Sequence, residues 1–136
     1  MLTLEQFKAA RATLQGVIRT TSLIHSPALS KACGNQVYLK PENMQVTGAY
    51  KIRGAYYKIS TLSEEEKARG LITASAGNHA QGLAYAAQAA GVPATIVMPT
   101  TTPLVKVNNT KDYGARVILH GEVFDEAAEK AAQLAE

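Results

Sequence analysis

Leu71-Ile72-Thr73-Ala74, Ala94-Thr95-Ile96-Val97-Met98 and Arg116-Val117-Ile118-Leu119 decide the fold of this 136-residue chain. Each is a short apolar run, and each is followed by apolar residues at helical spacing. Strands alternating with helices predict an α/β fold, an open parallel twisted sheet with flanking helices. The helix after the first run covers about Asn78 to Ala90 and turns Ala80, Leu83, Ala84 and Ala87 to the sheet, small side chains that allow close approach; Gly91 and Pro93 end it. Thr102 and Pro103 open the next helix and Gly114 closes it, although Val105, Val107, Asn108 and Asn109 are poor helix formers. Phe124, Ala127, Ala128, Ala131 and Leu134 give the last helix an apolar face. A βαβ series that stops on a helix reads as one that is cut short.

Upstream of the first run the elements are shorter. Thr3 with Gln6 is a capping-box pattern, and Leu4, Phe7, Leu14 and Ile18 recur at helical spacing, so a first helix is expected to run to Gly16. Ser26-Pro27 is an N-cap and first-turn pair for a short helix ending at Gly34. Val37 to Lys40 reads as a strand stopped by Pro41. Lys51 to Ile59 turns helical, with Ile52, Ala55, Tyr56 and Ile59 on one face, and Ser63 caps an acidic helix from Glu64 to Arg69 that Gly70 closes.

Composition narrows the function. Lys and Arg number 14 against 11 Asp and Glu, and the basic residues are scattered, so nucleic acid is not an expected partner. Residues 1–15 mix Glu5, Lys8 and Arg11 with the apolar residues, which fits neither a signal peptide nor a membrane span; no membrane partner and a cytoplasmic location are expected. The one cysteine, Cys33, cannot form an internal disulfide and reads as a small buried thiol. No metal site is expected.

In open α/β sheets, ligands bind beyond the carboxyl ends of strands, at helix N-termini with free backbone N–H groups. Two segments qualify. In Gln45 to Ala55 a glycine-containing turn delivers Lys51 to the start of a helix, where the dipole disfavours an ammonium and Tyr50 supplies an aromatic neighbour. A lysine must be neutral to attack an aldehyde or take a proton from carbon, so Lys51 is a candidate Schiff-base lysine. Lys58, Lys67, Lys111 and Lys130 read as solvated charges. Ser75-Ala76-Gly77-Asn78-His79 gathers a hydroxyl, an amide and an imidazole at a helix start suited to an anion; taken alone, Ser75 reads equally as an N-cap and His79 as a surface residue.

Leu39-Lys40-Pro41-Glu42-Asn43-Met44-Gln45, Thr47-Gly48-Ala49-Tyr50-Lys51-Ile52-Arg53-Gly54-Ala55 and Ser75-Ala76-Gly77-Asn78-His79-Ala80-Gln81-Gly82 together resemble the threonine and serine dehydratases, pyridoxal-phosphate enzymes of the tryptophan-synthase-β fold type. Met98-Pro99, Pro103, Lys106 and Gly114-Ala115 also fall where that family has them. The resemblance implies that residues 1–47 are an arm belonging to a larger domain and 48–136 a smaller domain, incomplete at its C-terminus. It implies pyridoxal 5'-phosphate carried on Lys51, with Tyr50 against the ring and Asn78 on its phenolic oxygen. Ser75, Gly77, Asn78 and His79 would hold the carboxylate of an amino-acid substrate, in a parent enzyme that forms homo-oligomers. Family members usually have Ser-Phe where this chain has Ala49-Tyr50.

The reaction so implied is dehydration and deamination of threonine to 2-oxobutanoate, or of serine to pyruvate, with release of ammonia. Serine racemases also resemble the chain but carry serine before the Gly-Asn-His, where this chain has Ala76, which has no proton to exchange. The family's phosphate-gripping glycine cluster has no equivalent in these 136 residues, so the chain alone is expected to bind cofactor weakly and turn over little. Racemisation, or another β-elimination on the same fold, remains an alternative. So does a non-catalytic α/β binding or interaction module that keeps the motifs as scaffold.

Overall fold

The computed structural model describes residues 1–136. Its centre is a parallel sheet in sequence order, β3 (Leu71–Ala74), β4 (Ala94–Met98) and β5 (Arg116–Leu119), with Leu71 opposite Ala94 and Thr95 opposite Arg116. Side chains alternate across a strand, and β4 shows the consequence. Ile96 and Met98 pack with Ala80 and Ala84 of α5 (Asn78–Ala90) and Val107 of α6 (Leu104–Asp112), while Val97 packs with Ala127 and Ala131 of α7 (Phe124–Ala135) on the opposite face. A further layer covers α5. There α3 (Lys51–Ser60) sets Ala55 and Ile59 against Leu83, Ala86 and Ala87. The short α4 (Glu64–Arg69) has the capping box at Ser63 and Glu66, and Gly70 ends it at φ 80°.

The three strands and the helices α3, α4 and α5 fall where the apolar periodicity puts them. α6 forms despite its poor helix formers because Val107 and Thr110 face the core at 3% and 0% exposure, and Thr110 Oγ1 donates to the Lys106 carbonyl at 2.8 Å. In α7 only Ala127 and Ala131 are buried; Phe124 and Leu134 of the expected apolar face are exposed.

The first 47 residues differ more from expectation. α1 (Leu4–Thr13) has the capping box of Thr3 and Gln6 but ends before Gly16 and buries none of its residues. α2 (Pro27–Cys33) is capped by Ser26 and closed by Gly34 in the left-handed conformation, as expected. Cys33 corrects the expectation of a buried thiol: it lies on the last turn of α2, a helix with no buried residue, and is exposed. β1 (Ile24–His25) pairs antiparallel with β2 (Tyr38–Leu39), a two-residue ribbon that periodicity cannot register. No helix of the chain is long and apolar enough to cross a membrane.

Candidate active site

Gln45 anchors the loop that leads into α3. Its buried amide accepts from the N–H groups of Arg19 (2.8 Å) and Val46 (3.0 Å) and donates to the Arg19 carbonyl (2.8 Å). Gly48 then turns at φ 70°, a conformation that side chains oppose, and its N–H donates to the Gln45 carbonyl at 2.8 Å. The turn places Lys51 as the first residue of α3, exposed, with Nζ 5.1 Å from the centroid of the Tyr50 ring and no carboxylate at ion-pair distance. Thr47 Oγ1 in the same loop is buried without a hydrogen-bond partner, as is Thr102 Oγ1, each at a desolvation cost of about 1–3 kcal/mol.

Arg53, two residues on, ties this helix start to the preceding segment. Its Nε and Nη2 each donate at 2.8 Å to the two oxygens of Glu42, a bidentate pair, and Thr21 Oγ1 donates to Glu42 Oε1 at 2.6 Å. The Arg53 guanidinium holds the Glu42 carboxyl down at about 2, aided by the Thr21 hydroxyl against the opposing effect of burial.

The second loop continues β3, since the Ser75 N–H donates to the Val97 carbonyl at 3.0 Å. Ser75 Oγ then accepts from Gly77 N (3.3 Å) and Ala80 N (3.2 Å), capping α5. The backbone N–H groups of Asn78 and His79 have no partner within the chain, so the first turn of α5 presents two free donors at the positive end of the helix. Lys106 Nζ donates to Asn78 Oδ1 at 3.3 Å. A lysine has no acceptor, so this bond fixes which end of the amide is which and leaves the Asn78 NH2 to donate.

α3 and α5 pack side by side, and this brings the two loops together. His79 registers the proximity: it is held below the ordinary histidine value, first by partial desolvation and second by the charge of Lys51. The backbone of Lys51 lies against Gly82, one turn beyond Asn78 and His79, so the start of α3 adjoins the first turns of α5. Ser75 is drawn in as a cap, with its hydroxyl proton left to donate. Lys106, Thr47 and the Glu42–Arg53 pair were not among the sequence candidates. A cavity of about 760 Å³ lies elsewhere, between α1 and α3 among Phe7, Leu14, Ile18 and Tyr57, and no candidate catalytic residue lines it.

These donors suit the cofactor and substrate chemistry suggested above. An unpaired amine beside a ring can carry an aldehyde, a free amide NH2 can donate to a phenolic oxygen, and two unpaired backbone N–H groups can hold a carboxylate. Fold and site thus define a parallel α/β unit that sets a lysine at one helix start against a second helix start with two free backbone N–H groups.

Comparison with known proteins gives that class its family. The model of the pyridoxal-phosphate dependent enzyme family matches residues 14–136, and the chain belongs to that family. It is 56% identical to an L-threonine ammonia-lyase of Thermotoga maritima over 136 residues, all of this chain and 34% of that protein. Among solved structures it resembles the processed threonine deaminase isoform 2 of Solanum lycopersicum, with a TM-score of 0.82, 39% identity and 98% of this chain on 40% of that one. It also resembles the serine racemase of Dictyostelium discoideum, with a TM-score of 0.88, 34% identity, and 98% of this chain on 43% of that one. The chain spans about a third of the length of the curated relatives it matches.

Proposed function

We propose that the chain is the Lys51-bearing part of a threonine or serine dehydratase, in which residues 1–47 are an arm and 48–136 a smaller domain. The single observation that carries this reading is the juxtaposition of Lys51, unpaired at the start of α3, with the free N–H groups of Asn78 and His79 at the start of α5. The identity to an L-threonine ammonia-lyase supports threonine as the substrate.

Pyridoxal phosphate, when bound, supplies the electron sink for the bond broken at Cα. Lys51 would carry the cofactor on its amine, Tyr50 would pack beside it and the Asn78 NH2 would donate a hydrogen bond to it. The substrate carboxylate sits on the Asn78 and His79 N–H groups, with Gly77 leaving the loop open and the Ser75 hydroxyl adding a donor. Held in this way, the substrate would present its Cα–H bond to Lys51, whose free amine would take the α-proton. His79 is shifted toward its neutral form, first by partial desolvation and second by the charge of Lys51. The net reaction would convert threonine to 2-oxobutanoate and ammonia, or serine to pyruvate and ammonia, the water lost with the β-hydroxyl being regained when the C–N bond is hydrolysed. Ala76 precedes Gly77 and has no proton to deliver to the other face of Cα, which favours elimination over racemisation. A cytoplasmic location fits this chemistry.

The test is borohydride reduction of the chain mixed with pyridoxal phosphate, followed by peptide mapping. Label concentrated on Lys51 over Lys58, and lost in Lys51→Ala, is the expected result. Label spread over the exposed lysines would overturn the assignment of Lys51 as a preformed cofactor lysine.

A further inference from the structure

α5 meets the first turn of α3 at a glycine. Gly82 is buried one turn into α5, and a Cβ built there would lie 3.0 Å from the amide nitrogen of Ile52 and 3.2 Å from both the carbonyl carbon and the Cβ of Lys51. The backbone at Gly82 is ordinary helix without a positive φ, so conformational freedom does not account for glycine here. Glycine is a poor interior helix residue, and the close approach is the reason for its presence. Gly54 and Gly77 nearby have no atom within 4 Å of such a Cβ. Further along the same contact α5 presents Leu83, Ala86 and Ala87, all with side chains, against Ala55 and Ile59. The interface narrows to bare backbone only where it faces the peptide of Lys51.

Gly82 follows Asn78 and His79 by one helical turn, so what touches it is placed relative to them. We propose that Gly82 is a positioning residue: it sets how near the peptide carrying Lys51 approaches the first turn of α5, and hence the separation of the Lys51 amine from the Asn78–His79 donors. The catalytic value of that separation rests on the function proposed above; the geometric claim does not. Ile52, fully buried beside Lys51, holds the turn against the gap. An added methyl at position 82 meets two backbone atoms and the Lys51 Cβ, none of which swings aside as a side-chain end does, so the start of α3 must give by a few tenths of an ångström.

Gly82→Ala in this chain is compared with Ile59→Val, which trims a side chain 1% exposed at the far end of the same helix contact. Three quantities are read: the melting temperature, the NMR titration of His79, and the share of reductive pyridoxal-phosphate label on Lys51. Both variants are expected to fold and to melt a few degrees lower. Only Gly82→Ala is expected to move the His79 titration up toward the ordinary histidine value, as Lys51 withdraws, and to lose the preference of the label for Lys51. An unchanged His79 titration in Gly82→Ala overturns the proposal. Equal changes in both variants also overturn it, because general loosening then suffices, and so does a Gly82→Ala chain that fails to fold, because Gly82 is then a requirement of the fold. If the unsubstituted chain shows no preference for Lys51 while Gly82→Ala still moves His79, the cofactor reading falls and the positioning role stands.

Discussion

The first 47 residues and the remainder of the chain are joined in opposite ways. Only four of the 26 buried residues, Leu14, Thr21, Gln45 and Thr47, lie in the first 47, and three of those are polar. Leu2, Leu4, Phe7, Leu23, Ile24, Leu29, Tyr38 and Leu39 are all exposed there. What fastens this segment is directed: the Gln45 amide on the Arg19 backbone, Lys40 on the Thr21 carbonyl, and Glu42 on Arg53. From residue 48 onward apolar packing in three clusters is added to the backbone ladders of the β3–β4–β5 sheet. The difference teaches that an apolar pattern in the sequence marks a face that can be covered, while only the packing shows whether this chain covers it.

If that comparison is sound, the largest loss of stability comes from β4. Ile96 is 0% exposed at the centre of the sheet and touches the α5 and α6 layer. Ile96→Ala removes buried carbon and leaves a cavity that backbone on both sides cannot close, a loss of about 2–5 kcal/mol. Urea unfolding followed by circular dichroism measures it. A loss below about 1 kcal/mol would mean that the sheet is not the core that holds the fold.

The next effect separates the two regions. Glu42→Gln removes one charge from a bidentate pair whose side chains are 17% and 30% exposed, and leaves Arg53 half-desolvated without its partner. A loss of about 1.5–3 kcal/mol is expected. Limited proteolysis should show residues 1–47 cut first while α3 to α7 survive. Equal susceptibility of both parts would break the distinction drawn here.

The same pair gives the segment an acid limit. The Glu42 carboxyl titrates at about 2 in the folded chain against an ordinary value of 4.5. A depressed carboxyl stabilises the fold fully above its unfolded value, and that contribution is lost as pH falls from about 4.5 toward 2. The loss amounts to on the order of 2 kcal/mol after allowance for solvent screening. Urea midpoints between pH 5 and 2.5 should fall more steeply in the unsubstituted chain than in Glu42→Gln, and parallel slopes would assign the acid sensitivity to other groups.

The two regions also differed in how much the sequence revealed. Leu71–Ala74, Ala94–Met98 and Arg116–Leu119 were legible to the residue because Gly70, Pro93 and Gly114 punctuate them and each strand is apolar but for one residue, Thr73, Thr95 or Arg116. β1 was not, because two residues carry no period, and α1 was overextended because Leu14 and Ile18 keep the helical spacing past the end of the helix at Thr13. At the site, Lys51 and the Asn78–His79 pair were visible as contiguous motifs. The bond from Lys106 to Asn78 spans 28 residues and the contact of Gly82 with Lys51 spans 31, so both arise only when α6 and α3 pack on α5. A local reading finds contiguous motifs and misses contacts made only by packing.

The smallest effect is the sharpest check on α1. Phe7 has the size of a core residue and the spacing of a helix face, yet it is 59% exposed and borders only the open cavity beside α3. Phe7→Ala in this chain should change stability by no more than about 0.5 kcal/mol, as for surface substitutions generally. If α1 were packed in solution, the same substitution would cost about 3–5 kcal/mol, the value for removing a buried ring. Those two ranges do not overlap, so one urea titration decides whether the apolar side of α1 contributes to this fold or is surface held in place only by its neighbours' polar contacts.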